Sequence, residues 1–241
     1  MILIGFFLSE RAEFASDKAI RGGVPVCFPQ FAGQRPYIKH GFARISRWKL
    51  LNTRQLENSS QAVFQLEDSN ETFALWPHAF RITLTVSIEA SFLALAFKVE
   101  NTGTKAFHFT GALHTYLRVQ DINNTVIENL EGYHYRDSVT GIQDKVQHGN
   151  DLRIINEVNR IYEQAPSEVV VRESDRSMNI QTSGFTDVVI WNPGPAKCAM
   201  FNDMHPEIYR HMLCVEAAVI STALEIMPGD SWFGTQTLYA Q

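Results

Sequence analysis

The chain has 241 residues, 45% of them hydrophobic and 20% charged, and its 21 Lys and Arg against 26 Asp and Glu give a net charge of −5. That is ample apolar material for a substantial core, which excludes disorder as a whole-chain description. Neither a basic block nor a periodic Lys/Arg stripe is present to neutralise a phosphate backbone, so nucleic acid is not an expected partner.

The opening Met1-Ile-Leu-Ile-Gly-Phe-Phe-Leu8 has no basic leader and runs straight into Ser9-Glu10-Arg11. It reads as a strand, not as a signal peptide or a membrane span. Val63–Glu67 is the next strand candidate. Phe80 to Ile88 alternates large apolar residues at even positions with polar ones at odd positions, the period-two pattern of a half-buried strand. Phe92–Val99 comes after a tight Glu89-Ala-Ser91 connection, which makes an antiparallel hairpin. Asn101-Thr-Gly103 is a turn, and Ala106–Val119 reads as one long strand. Thr125–Asn129, Asp151–Ile155, Val169–Glu173, Met178–Thr182, Val188–Asn192, Met212–Val219 and Ser231–Ala240 complete the set. Pro193-Gly-Pro195 and Met227-Pro-Gly-Asp230 read as turns, and Phe201–Tyr209 has room for one short helical turn. No long 3.6-period segment, low-complexity linker or fixed-period repeat competes. The economical architecture is therefore all-β, a single double-sheet sandwich over residues 1–241. A concave sheet face in such a fold suits a polar ligand.

Cys27, Cys198 and Cys214 are odd in number, far apart and without CxxC spacing, so neither a disulfide framework nor a zinc site is signalled. A reducing cytoplasm is the expected location.

Chemistry concentrates in a few places. Lys18-Ala-Ile-Arg-Gly-Gly-Val-Pro-Val-Cys-Phe-Pro-Gln-Phe31 compresses charge, glycine and proline, and His40-Gly-Phe-Ala-Arg44 lies a short way beyond it. Arg21 stands before two glycines that admit positive φ, and Pro25 and Pro29 stiffen the segment after them. Arg44 is a second basic group able to converge with Arg21 on one anion. The alternative is that both pair with surface acids such as Asp17 and Glu13. The double glycine is not a P-loop, because GxxxxGK[ST] is absent.

His114 lies in the apolar run Ala112-Leu-His-Thr-Tyr116, either packed in the core or facing a cleft. Glu216 lies in Met212-Leu-Cys-Val-Glu-Ala-Ala218, where a carboxylate must be paired, protonated or exposed to a functional cavity. A His and a Glu facing one cleft would form an acid and base pair. His205 and His211 lack metal-ligand spacing. His108 and His114, six apart, would stand ~20 Å apart along a strand, too far for one ion. No GxSxG-type elbow supports a nucleophile.

These residues resemble the glucose-6-phosphate 1-epimerase family, within the aldose 1-epimerase (galactose mutarotase-like) superfamily. The resemblance runs from Leu8-Ser-Glu10 through Lys18–Phe31, His40-Gly-Phe-Ala-Arg44, Leu75-Trp-Pro-His-Ala-Phe80 and Asn101-Thr-Gly to Ala112-Leu-His-Thr-Tyr116. It continues through Asp187-Val-Val-Ile-Trp-Asn-Pro193 and Met212-Leu-Cys-Val-Glu216 to Leu224, Pro228-Gly229 and the final strand. It implies an antiparallel supersandwich with a concave sugar-binding face and a hexose-6-phosphate mutarotase that needs no metal or cofactor. By the same resemblance His114 is the general acid, Glu216 the base, and His40 contacts the sugar. Arg21 and Arg44 grip the 6-phosphate, and a small-molecule hexose phosphate is the partner of a monomer.

Three departures from the family pattern stand out. Lys39 replaces the usual Gln before His-Gly and adds positive charge beside the expected phosphate site. Asn159, in Asn159-Arg-Ile-Tyr162, replaces the usual Asp, so a substrate-binding carboxylate becomes an amide that can bond a hydroxyl without supplying charge. The chain also begins close to its Leu-Ser-Glu segment, without the stretch that precedes it in the family. A mutarotase for unphosphorylated aldoses and a non-catalytic carbohydrate-binding protein are the alternatives these departures keep open.

Overall fold

The computed structural model describes residues 5–33 and 37–241. Two antiparallel sheets form the fold. The eight-stranded one runs Val26–Cys27, Phe107–Leu113, Met212–Ile226, Asp187–Asn192, Val158–Tyr162, His134–Asp137 and Ile142–Val146, with Tyr116–Arg118 also paired to Met212–Ile226. The nine-stranded one runs Leu152–Arg153, Val126–Glu128, Glu168–Arg172, Ser177–Ser183, Ser231–Ala240, Phe92–Asn101, Phe80–Glu89, Ser59–Glu67 and Lys49–Gln55. The first, the site sheet, carries the candidate site; the second is the backing sheet.

The hairpin in the backing sheet shows how pattern becomes packing. Along Phe92–Asn101 every second residue is buried, and Leu93, Leu95, Phe97 and Val99 face the site sheet. Its partner strand begins with Phe80 and Ile82 fully buried but ends with Ile88 50% exposed. By contrast, Met212–Ile226 is buried at every one of its first nine positions. The site sheet is covered on both faces there, so alternation gives way to a continuous apolar run. One cluster, with Phe28, Phe80, Phe97, Leu113, Leu213 and Leu238, fills the space between the sheets. A second, with Tyr116, Cys214, Trp191, Val189 and Ile161, covers the outer face of the site sheet.

Several sequence expectations are corrected. Ala106–Val119 is not one strand: it breaks after Leu113, where Thr115 N–H turns back to donate to the Leu113 carbonyl at 2.8 Å. Pro193-Gly-Pro195 opens a helix, Gly194–Cys198, and the short helical turn expected within Phe201–Tyr209 is a 3-10 turn at Ile208–His211. Strands Lys49–Gln55, His134–Asp137, Ile142–Val146 and Val158–Tyr162 and the helix Asn70–Leu75 have no counterpart in the sequence expectations. Of the opening apolar run, residues 1–4 lie outside the described residues. Phe6 and Leu8 make isolated bridges to Leu117 and Gly22 and build no regular strand.

Candidate active site

Register brings His114 and Glu216 together. Leu113 pairs with Ala217 and Tyr116 with Cys214, so the same antiparallel register sets His114 opposite Glu216 and Thr115 opposite Val215. Side chains alternate along a strand, so Tyr116, His114 and Ala112 share the outer face with Cys214, Glu216 and Ala218. His114 Nε2 stands 3.4 Å from Glu216 Oε1. His114 stacks on Tyr116 at 4.7 Å between ring centroids and meets Trp191 edge-on. The two groups are thus in direct contact on one side of the cleft.

Burial governs their ionisation. Glu216 is 1% exposed and its carboxyl is pushed well above the ordinary range by desolvation, with only the Arg44 charge opposing. Desolvation likewise pushes His114 well below the ordinary imidazole range, helped by the neighbouring His40, Arg44 and Arg21. The favoured state is a neutral imidazole against a protonated carboxyl. Glu216 Oε2 and His114 Nδ1 are buried without a hydrogen-bond partner. Polar atoms left so are commonly completed by a ligand or water.

His40 completes the floor. Gly41, at φ 68°, presses against the Phe28 carbonyl so closely that a Cβ would fall inside it. His40 itself lies in the left-handed region at φ 64°, a conformation uncommon for non-glycine residues. The Ala32 N–H donates to His40 Nδ1 at 3.3 Å, and the Cys27 thiol lies 3.4 Å from the same nitrogen. Nδ1 is therefore the acceptor, which leaves the proton on Nε2 as a donor. Burial and the charges of Arg44, Lys39 and Arg21 lower its pKa to about 3, so it stays neutral.

The cations form the rim. Both Gly22 and Gly23 take positive φ, as expected beside Arg21. Arg21 does not pair with Asp17 or Glu13: its Nε and Nη2 donate to the two carboxylate oxygens of Asp203 at 3.0 and 3.3 Å. Its guanidinium also lies 4.6 Å over the Phe201 ring. Arg44 has no carboxylate partner among the described residues; its Nη2 donates to the Lys39 carbonyl at 2.8 Å and its buried Nε is unpartnered. Lys39 is held below the ordinary lysine range by burial and by Lys197, Arg44 and Arg21. Lys197 is bonded to Glu157 at 2.5 Å.

Arg21, Lys39, His40, Arg44, His114, Asn159 and Glu216 all line one cavity of about 330 Å³. Asn159 comes from the Val158–Tyr162 strand on its far wall, where it pairs with Trp191. The cavity also has walls that sequence reasoning left unassigned: Phe31, Tyr116, Ile161, Trp191 and Phe201 are apolar or aromatic, and Ser138 and Lys197 are polar. In sequence they read as core or surface residues. An adjoining hollow of about 320 Å³ shares Arg21, Arg44, His114 and Tyr116 with it, so the arginines stand between two spaces.

His114, Cys214 and Glu216 place one donor atom each within 4.8 Å of one another. To hold a thiophilic ion there, Cys214 and Glu216 would both have to lose protons that burial makes them retain, close to the Arg44 charge. The donor set fits proton transfer better than metal binding.

The two-sheet antiparallel architecture is that of galactose mutarotase-like folds. A "galactose mutarotase-like protein" from Clostridium acetobutylicum shares it at TM-score 0.73 and 14% identity, over 91% of this chain and 79% of that one. A "putative mutarotase" from Salmonella typhimurium superposes at TM-score 0.91 with 27% identity, over 98% of this chain and 79% of that one. The profile of the aldose 1-epimerase family matches residues 10–239, and the chain belongs to that family. Relatives include a protein of Cenchrus ciliaris named "Putative glucose-6-phosphate 1-epimerase", 33% identical over 97% of this chain and 74% of its own. One of the same name from Escherichia coli is 31% identical over 91% of this chain and 74% of its own.

Proposed function

We propose that the protein is a hexose-6-phosphate mutarotase. The observation that carries this is the 3.4 Å contact between His114 and Glu216 on the wall of a cation-rimmed cavity. The pair holds one mobile proton. In one state a neutral imidazole faces a carboxylic acid; in the other an imidazolium faces a carboxylate, and transfer across the contact interconverts them. The second state is the reactive one. Glu216 takes the proton of the anomeric hydroxyl while His114 gives a proton to the ring oxygen, and the bond from C1 to the ring oxygen breaks to leave the open aldehyde. Rotation about C1–C2 exposes the other aldehyde face. Reclosure with the proton roles reversed gives the other anomer and restores both side chains. The general acid and the general base each supply ~10²–10⁴ in rate.

His40 Nε2–H and Asn159 are suited to hydroxyl groups of the sugar, and Trp191 and Phe201 offer flat apolar walls to its ring faces. Arg44 and Lys39 are the cations best able to take a phosphate, since neither has a carboxylate partner among the described residues. Among those residues no helix is long and apolar enough to cross a membrane. Cys27, Cys198 and Cys214 are all free and buried, which supports a reducing compartment such as the cytoplasm.

The Arg21–Asp203 pair favours a second reading, a mutarotase of free aldoses, because it occupies one expected phosphate ligand. Exchange NMR on glucose 6-phosphate and on glucose decides between them. Faster exchange of glucose 6-phosphate is expected; acceleration of glucose alone would remove the phosphate reading, and acceleration of neither would remove both.

A further inference from the structure

The break that separates Phe107–Leu113 from Tyr116–Arg118 leaves a defect in the sheet beside the His114–Glu216 pair. In an antiparallel ladder, Thr115 and Val215 at this register would exchange two hydrogen bonds. Only one is made: Val215 N–H donates to the Thr115 carbonyl at 3.2 Å. Thr115 N–H has turned back to Leu113, so the Val215 carbonyl has lost its ladder donor.

Gln236 makes good the loss from the other sheet. It sits on the Ser231–Ala240 strand of the backing sheet, between Leu95 and Thr182, and is fully buried. Its side chain crosses the core. Nε2 donates to the Val215 carbonyl at 3.0 Å, and Oε1 accepts from the Thr115 hydroxyl at 2.5 Å. Thr115 is also fully buried. A buried amide in an apolar core is tolerated only when its groups are bonded, and these two bonds reach the residues next to His114 and next to Glu216.

We propose that Gln236 is a positioning residue for the reaction: it splices the kinked strand to its neighbour and so sets the spacing of the acid and base. This rests on the mutarotase reading. Gln236 touches neither cavity nor substrate, and acts only through Thr115 and Val215. Without its amide the Val215 carbonyl has no donor and the Thr115 hydroxyl is left with only the Leu113 carbonyl, 3.3 Å away, so the link between the two strands weakens and the His114–Glu216 contact loosens. A displacement of about 1 Å in such a pair can lower turnover ~100-fold.

The test is Gln236→Met, which keeps volume and removes both hydrogen bonds. Wild-type exchange of glucose 6-phosphate and of glucose is measured first, because absence of both sinks the mutarotase reading and says nothing about Gln236; the accepted sugar is then used for the variants. The variant is expected to lose ~10–100-fold in kcat with KM within about two-fold, and to shift the pH profile. Leu238→Ala on the same strand is expected to lower Tm as much or more while leaving kcat near wild type. An unchanged kcat in folded Gln236→Met, or an equal loss in Leu238→Ala, overturns the proposal. A second readout does not use activity. The ring 15N shifts of His114 should differ between wild type and Gln236→Met, and identical shifts would also overturn it. Should Gln236→Met not fold, Thr115→Val removes the hydroxyl donor alone and is read by the same measurements.

Discussion

Arg21 and Asp203, 182 positions apart in sequence, are joined by two parallel hydrogen bonds at the rim of the cavity. A bidentate pair of this kind fixes the guanidinium plane and offsets much of its charge. Arg44, which lines the same cavity, has no such partner among the described residues. The two arginines that look equivalent in sequence are therefore unequal in the fold.

That inequality is measurable. Arg44→Ala is expected to raise KM for glucose 6-phosphate at least ~10-fold while changing that for glucose little, in keeping with loss of a charge-assisted hydrogen bond. Arg21→Ala should show a smaller phosphate-specific effect, and Asp203→Asn, by freeing Arg21, should lower KM for the phosphorylated sugar. Equal effects of Arg44→Ala on both sugars would contradict the assignment.

Glu216→Gln should reduce anomer exchange at least ~100-fold with the fold intact. Stability should move the other way. Because the folded-state pKa of Glu216 is raised, wild type loses stability as pH rises above about 4.5, the unperturbed value, until the folded-state value is passed. Glutamine does not titrate, so the variant's Tm advantage should grow as pH rises above about 4.5. Thermal melts across that range are the check.

His40 gives the opposite slope. Its pKa is lowered from 6.5 to about 3, so the stability it contributes is present above pH 6.5 and is lost as pH falls towards 3. The loss is up to ~4–5 kcal/mol over that window, and His114 adds to it in the same direction. His40→Gln should flatten the acid limb of a Tm against pH curve, and an unchanged limb would show that the imidazole is already solvated.

Phe28 is fully buried and meets Phe42, Trp76, Phe80 and Phe109 with ring centroids 5.3 to 6.1 Å away. Phe28→Ala should cost ~3–5 kcal/mol in denaturant unfolding.

Much of the fold and site was visible in the residues themselves. The Phe80–Asn101 hairpin announced itself because one face is buried, and His114 and Glu216 stood out because polar groups interrupt apolar strands. Lys49–Gln55 gave no alternation because every residue in it is exposed. The break after Leu113 was hidden because His, Thr and Tyr all suit an extended chain. Asp203 was missed as a partner of Arg21 because nothing local in sequence reports a contact across 182 positions. Trp191 and Phe201 read as core, since an aromatic wall and an aromatic core differ only in what faces them.

The same long reach bears on how the protein comes into being. Ser9 donates to the Asp203 carbonyl across 194 positions, and Arg21 reaches the same residue. A nascent chain released from the ribosome in order holds Arg21 and His114 for most of its synthesis without Asp203 and Glu216 opposite them. Contacts this distant close slowly. Anomer exchange should consequently be the last property recovered on refolding, lagging behind far-ultraviolet circular dichroism, and it should be absent from any fragment that ends before Glu216.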